Sequence, residues 1–205
     1  MEITAQMIKE LREKTGAGIM DCKGALKDAG GDVEEAITVL RKKGLAAAEK
    51  KAGRVTSEGL IHAYIHAGGR IGVLIEVNCE TDFVARTPEF EEFVHNLAMH
   101  VAAAEPRYVS KDDVSEEDLQ HERDIFAEQA RATGKPESVI EKIVDGKMSK
   151  FYSQVCMLEQ PFIKDPDKTV GTLVKEAISS FGENIRVNRF VRFRLGEDST
   201  EPKSC

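Results

Sequence analysis

The spacing of apolar positions divides the chain into a helical first part and a mixed remainder. Met7, Ile8 and Leu11 recur at helical intervals over 4–14, with Thr4 placed to cap the start. Thr15-Gly16-Ala17-Gly18 breaks that run, and a second helix is predicted from Ile19 to about Ala29, ahead of Gly30-Gly31. Asp32 with Glu35 forms a capping-box pattern for a third helix, whose apolar side is Val33, Ala36, Ile37 and Leu40. Gly44 follows the basic cluster Arg41-Lys42-Lys43 and is read as its end; 45–55 is then a separate small-residue helix and linker. From Ser57 the period changes to two. Runs 59–66 and 71–79 read as strands joined by Ala67-Gly68-Gly69-Arg70, with Ile71, Val73, Ile75, Val77 and Cys79 on the core face. A helix over 88–104 follows, its buried stripe being Phe90, Phe93, Val94, Leu97, Ala98 and Val101.

Two further helical patterns, from Ser115 to about Ala132 and from Pro136 towards Leu158, are separated only by a Gly-Lys-Pro stop and predict an antiparallel helical hairpin. Gln160 to Pro166 reads as an extended loop, and Thr169 caps a helix to about Ser180. The last strand spans Asn184 to Leu195. Its alternation puts Ile185, Val187, Val191, Phe193 and Leu195 on the core face and Arg186, Arg192 and Arg194 opposite. Arg189 interrupts that face, which a bulge or a charged paired edge would explain. The fold class is therefore α+β: a three-helix N-terminal bundle and linker helix over 1–54, then a core domain over 55–196. In the core a three-stranded antiparallel sheet packs with helices, among them the hairpin, and 197–205 is a flexible tail.

Composition narrows the function without naming it. With 205 residues, 32% of them charged, and a net charge of −7, the chain lacks the basic excess of a nucleic-acid binder. No apolar run approaches the roughly 18 residues of a membrane span, and the N-terminus reads as a helix rather than a leader, so a cytoplasmic protein is expected. Cys22, Cys79, Cys156 and Cys205 form no CxxC pair and read as reduced thiols, Cys205 as an exposed one. No phosphate-cradling, nucleophile-elbow or zincin motif is present. His62 and His66 share a strand face with Tyr64. With Cys79 they form the one metal-site pattern on offer, against which stand solvated histidines on an open face. The expectation is a binding protein with no catalytic residue, no metal and no cofactor.

One stretch departs from packing logic. The connector Asn78-Cys-Glu-Thr-Asp-Phe-Val-Ala-Arg86 places Asp82 beside Phe83 between a strand and a helix. A ring there either plugs the end of the core or projects outward as an anchor for a partner, and the pattern leaves both open. Ile19-Met20, just after the glycine turn, poses the same question: both tucked into the bundle, or one displayed.

Three stretches together carry a family resemblance: Leu11-Arg-Glu-Lys-Thr-Gly-Ala-Gly-Ile-Met-Asp-Cys-Lys23, Asn78-Cys-Glu-Thr-Asp-Phe-Val84 and Gln160-Pro-Phe-Ile163. Ile185-Arg-Val-Asn-Arg-Phe190 agrees with them. In these the chain resembles elongation factor Ts, the guanine-nucleotide exchange factor of elongation factor Tu. The resemblance implies that the N-terminal helices are ubiquitin-associated-like (UBA-like) and meet the nucleotide-binding domain of Tu through Leu11, Arg12, Ile19 and Met20. It implies that Thr81, Asp82, Phe83 and Val84 contact Tu and that the Asp82-Phe83 pair is an intruding element that disturbs the magnesium and phosphate site, speeding GDP release without covalent chemistry. Longer family members carry two core halves. This chain has room for one, so a homodimer in a 2:2 assembly with Tu is expected. The rival reading is a plain adaptor, since a three-helix bundle alone names no partner.

Overall fold

The computed structural model describes residues 3–197, so expectations for Cys205 and for the tail beyond Glu197 lie outside the described residues. Among those residues are eight α-helices, a three-stranded sheet and a two-stranded one. The chain groups into two units. The first takes the chain up to Leu60 with Val77–Phe90 and Thr172–Arg186; the second takes Ile61–Glu76, Glu91–Gly171 and the chain from Val187 on.

In the first unit, α1 (Ala5–Thr15), α2 (Ile19–Asp28) and α3 (Val33–Lys51) surround Leu11, Cys22, Ala25, Leu26 and Ala36. The caps are where side-chain chemistry puts them. Thr4 Oγ1 accepts from Met7 N at 3.3 Å, and Asp32 Oδ1 accepts from Glu35 N at 2.8 Å. The predicted break at Gly44 does not occur: α3 runs through it to Lys51. Leu45-Ala-Ala-Ala-Glu-Lys50 is strongly helix-forming, and one glycine costs an interior turn only about 1 kcal/mol. Gly44 instead permits close approach. A Cβ there would sit 2.9 Å from the hydroxyl of Ser179, on α8 (Val170–Phe181). Arg41 pairs with Glu176 on the same helix at 3.7 Å.

The larger sheet has the order β1-β2-β5, from β1 (Glu58–Ile65), β2 (Ile71–Cys79) and β5 (Ile185–Arg194). Gly59 (φ +147°) lets β1 approach β2, since a Cβ there would collide with the Val77 carbonyl oxygen. Between β2 and α5 (Pro88–Ala104) the chain makes one helical turn, α4 (Asp82–Ala85), where a loop was predicted. The six-residue apolar stripe of α5 is buried throughout, as its period predicts.

Within the second unit α5 lies against one side of the sheet. His62 Nε2 is 3.1 Å from His95 Nδ1, and the Tyr64 ring meets His95 edge-on, so His62 and Tyr64 are half-buried rather than on an open face. β5 corrects the predicted alternation. Val187 is buried as expected, but past Arg189 the phase shifts by one residue: Arg192 is buried at 8% exposure, while Val191, Phe193 and Leu195 are exposed. The Arg192 head donates from Nε to the Ala102 carbonyl in the last turn of α5 (3.3 Å) and from Nη1 to Glu105 (2.9 Å). A buried guanidinium so paired, with its stem in the core, is tolerated. Arg189 turns outward to Glu76 at 2.8 Å. Val191, Phe193 and Leu195 thereby join Ile61, Ile65 and Leu74 among the exposed apolar residues. Strand parity and the 3.1 Å approach of Ile65 Cδ1 to the Cβ position of Gly72 put the strand residues among them on the side away from α5.

The predicted helical hairpin is α6 (Glu116–Arg131) and α7 (Glu137–Val155), antiparallel by the pairings Arg123–Asp145 and Arg131–Glu137. Its own core is Val114, Ala130, Ile140, Val144, Met148 and Phe151. The predicted loop over 160–166 is instead a miniature antiparallel sheet, β3 (Pro161–Phe162) with β4 (Asp165–Thr169). Proline is tolerated at the first position of so short a strand.

Candidate functional site

Two displays of apolar and charged side chains stand out in the first unit. One lies along α1 and the start of α2, where Ala5, Ile8, Lys9, Arg12, Glu13, Gly16 and Ile19 line a cleft of about 430 Å³. Ile19 is 58% exposed and Met20, beside it, 76%. The glycine turn forces this: α2 begins at Ile19, and Cys22, Ala25 and Leu26 take its buried face. Arg12 is exposed on the same cleft. Leu11, expected with these residues, is fully buried and offers no surface to a partner; its part is to hold α1 in place.

The second display is α4. Phe83 is 81% exposed, which decides between plug and projection in favour of projection. The sequence pattern could not decide it, because α4 is too short to show a buried face. Thr81 caps the turn, its Oγ1 accepting from Val84 N at 3.5 Å, and Asp82 pairs with Arg86 at 3.1 Å. Val84 is half-buried. Below the turn the Cys79 thiol donates to the Thr81 carbonyl at 3.2 Å. Burial, reinforced by the nearby Glu183 carboxylate, pushes that thiol up to about 11, so Cys79 stays protonated. Three residues outside the predicted set hold the turn. Glu183 accepts from the backbone N–H groups of Glu80 and Thr81 and from the Thr81 hydroxyl. Glu80 accepts from Asn184 N, and Asn184 reaches the carbonyls of Ala52 and Arg54. Only proximity in the fold reveals Glu183 and Asn184, since they lie about a hundred residues along the chain from the turn.

Among the described residues the other titratable groups form no second centre. His100 is fully buried, its Nε2 within 3.0 Å of Gln160 Oε1, and burial holds its pKa below the ordinary imidazole value. Among the described residues no three His, Cys, Asp or Glu are grouped to hold a metal ion, and no helix is long and apolar enough to cross a membrane.

A family model described as Elongation factor TS matches residues 2–197. The chain is 62% identical to "Elongation factor Ts" of Moorella thermoacetica over 195 residues, covering 95% of this chain and 96% of the relative. It is 60% identical to the protein of that name from Carboxydothermus hydrogenoformans over 195 residues, covering 95% and 90%. With the one from Geobacter sulfurreducens the figures are 57% over 204 residues, covering 100% and 94%.

Proposed function

The chain belongs to the elongation factor Ts family, and from that membership we propose that it binds elongation factor Tu carrying GDP and speeds release of the nucleotide during translation elongation. The observation that carries this reading is Phe83, a large ring on a capped turn with four-fifths of its surface open to a partner. In this proposal α1–α3 serve as a UBA-like bundle that seats on the nucleotide-binding domain of Tu through Arg12, Ile19 and Met20, over the scaffold set by Leu11. Thr81, Asp82, Phe83 and Val84 then press beside the magnesium site and disturb the contacts that retain GDP.

The energetics are those of linkage. A factor that binds nucleotide-free Tu more tightly than Tu·GDP weakens GDP binding by the same ratio. GTP entry then releases the factor, which turns over without a covalent step or a cofactor of its own.

The exposed apolar residues of the second unit, Phe193 at 67% exposure among them, support a homodimer and hence a 2:2 complex, because an uncovered patch of this kind marks a protein interface. The function is tested by mixing the chain with Tu loaded with a fluorescent GDP analogue, in excess unlabelled nucleotide. Faster release is expected, saturating with factor concentration. Release at the intrinsic rate, with the factor folded, would leave the adaptor reading.

A further inference from the structure

A helix of four residues cannot hold itself in place. Nucleating one turn fixes several dihedrals for a single hydrogen bond, and its first N–H groups need outside acceptors. In α4 the internal cap, from Val84 N to Thr81 Oγ1, is at 3.5 Å, the outer limit of a hydrogen bond. Phe83 is too exposed for packing to orient it. Something else must set its direction.

Glu183, between α8 and β5, supplies that support. Its Oε2 accepts from Glu80 N at 3.1 Å and from Thr81 N at 3.0 Å, and its Oε1 accepts from the Thr81 hydroxyl at 2.5 Å. The arrangement is reciprocal: Glu80 Oε1 accepts from the next backbone N–H, that of Asn184, at 2.6 Å, and from Arg54 Nη1 at 3.4 Å. The buried Asn184 side chain then donates to Ala52 O at 3.3 Å and Arg54 O at 2.8 Å, just past the end of α3. A carboxylate makes a stronger acceptor for such amides than a neutral oxygen does. The Cys79–Glu80 and Glu80–Thr81 peptide groups, which lead into α4, are therefore braced from outside.

We propose that Glu183 is a positioning residue for exchange: its carboxylate fixes the Glu80 and Thr81 peptides and thereby the direction in which α4 presents Phe83. The proposal rests on the reading of Phe83 as the intruding group. A pre-aimed ring avoids the ordering cost that a mobile turn meets on every encounter. Loss of the brace accordingly appears in the maximal release rate more than in the concentration of factor needed for half-saturation.

The chain contains no tryptophan, so Phe83→Trp in the full-length protein places a single fluorophore on the turn. Its fluorescence anisotropy is expected to fall when Glu183→Ala is added, with the far-ultraviolet circular dichroism unchanged. Undiminished anisotropy would overturn the proposal whatever the exchange assay gives. In that assay, with Phe83 retained, Glu183→Ala is expected to lower the maximal rate about tenfold, as loss of charge-assisted bonds does. Glu183→Gln, which keeps an acceptor for both amides, should recover most of it. Failure of glutamine to recover the rate would assign the loss to the charge of Glu183 acting apart from its bonds to the two amides, and would also overturn the proposal. A normal rate in Glu183→Ala where Phe83→Ala is impaired would sink the positioning role alone. A normal rate in Phe83→Ala would sink the intruding-group reading, and the anisotropy would still judge the brace. Should Glu183→Ala lose its helical signal, Glu183→Asp, which draws the carboxylate back by one methylene and leaves the Thr81 cap in place, serves instead.

Discussion

Truncating Phe83 to alanine removes a ring that touches little of its own protein, so stability should change by no more than about 0.5 kcal/mol in a denaturant titration. Leu11→Ala is the opposite case. It opens a cavity among Cys22, Leu26 and Ala36 and should cost about 2–5 kcal/mol, weakening any Tu contact only through the fold beneath it. His100 makes stability depend on pH. Its pKa is held below the unfolded value by burial, so its contribution is complete above about pH 6.5 and is lost as pH falls through the folded pKa. Denaturation midpoints should therefore drop more between pH 7.5 and 5.5 in the parent than in His100→Gln, and equal drops would contradict this. At this scale the sequence shows which residues are unusual, as with Asp82-Phe83 and Ile19-Met20, but not where each one points. Leu11 and Arg12 are neighbours in one motif, yet only Arg12 reaches the surface.

Elements with a long, regular period were legible. The stripe of α5 and the two helices of the hairpin follow their apolar spacing because each buries a whole face. Elements whose register is set from outside were not. β5 keeps its alternation only up to Arg189; beyond it, the charge of Arg192 is drawn inward by the carbonyl end of α5 and by Glu105. Arg192→Ala should consequently cost about 2–3 kcal/mol, and Arg192→Met, which keeps the stem, should cost less. Equal losses in thermal or denaturant unfolding would mean that the stem contributes nothing. The run through Gly44 has the same origin: a helix end inferred from local chemistry is overridden where a neighbour, Ser179, occupies the space a side chain would need. The sequence pattern predicts a loop at α4 because the residues that lead into it, Glu80 and Thr81, are held by Glu183, distant in sequence.

For the molecule as a whole, an α+β chain with a three-stranded sheet could be read from the change of period at Ser57, and the family from motifs spread along the chain. The apolar patch of the second unit could not. The phase shift at Arg189 adds Val191 and Phe193 to it, where strict alternation predicts them in the core. If a second copy covers that patch, Phe193→Glu should yield a monomer in sedimentation equilibrium while the parent sediments as a dimer. A dimeric variant would place the subunit contact elsewhere.

Exchange driven by intrusion of Phe83 from α4, as proposed, is tested by the rate of GDP release from Tu at saturating factor. The intact chain should accelerate release strongly. Phe83→Ala should lose most of that acceleration while keeping most of its affinity for nucleotide-free Tu, since Arg12, Ile19 and Met20 are untouched. A variant that releases GDP as fast as the parent would contradict the account and leave the exposed ring without a role in exchange.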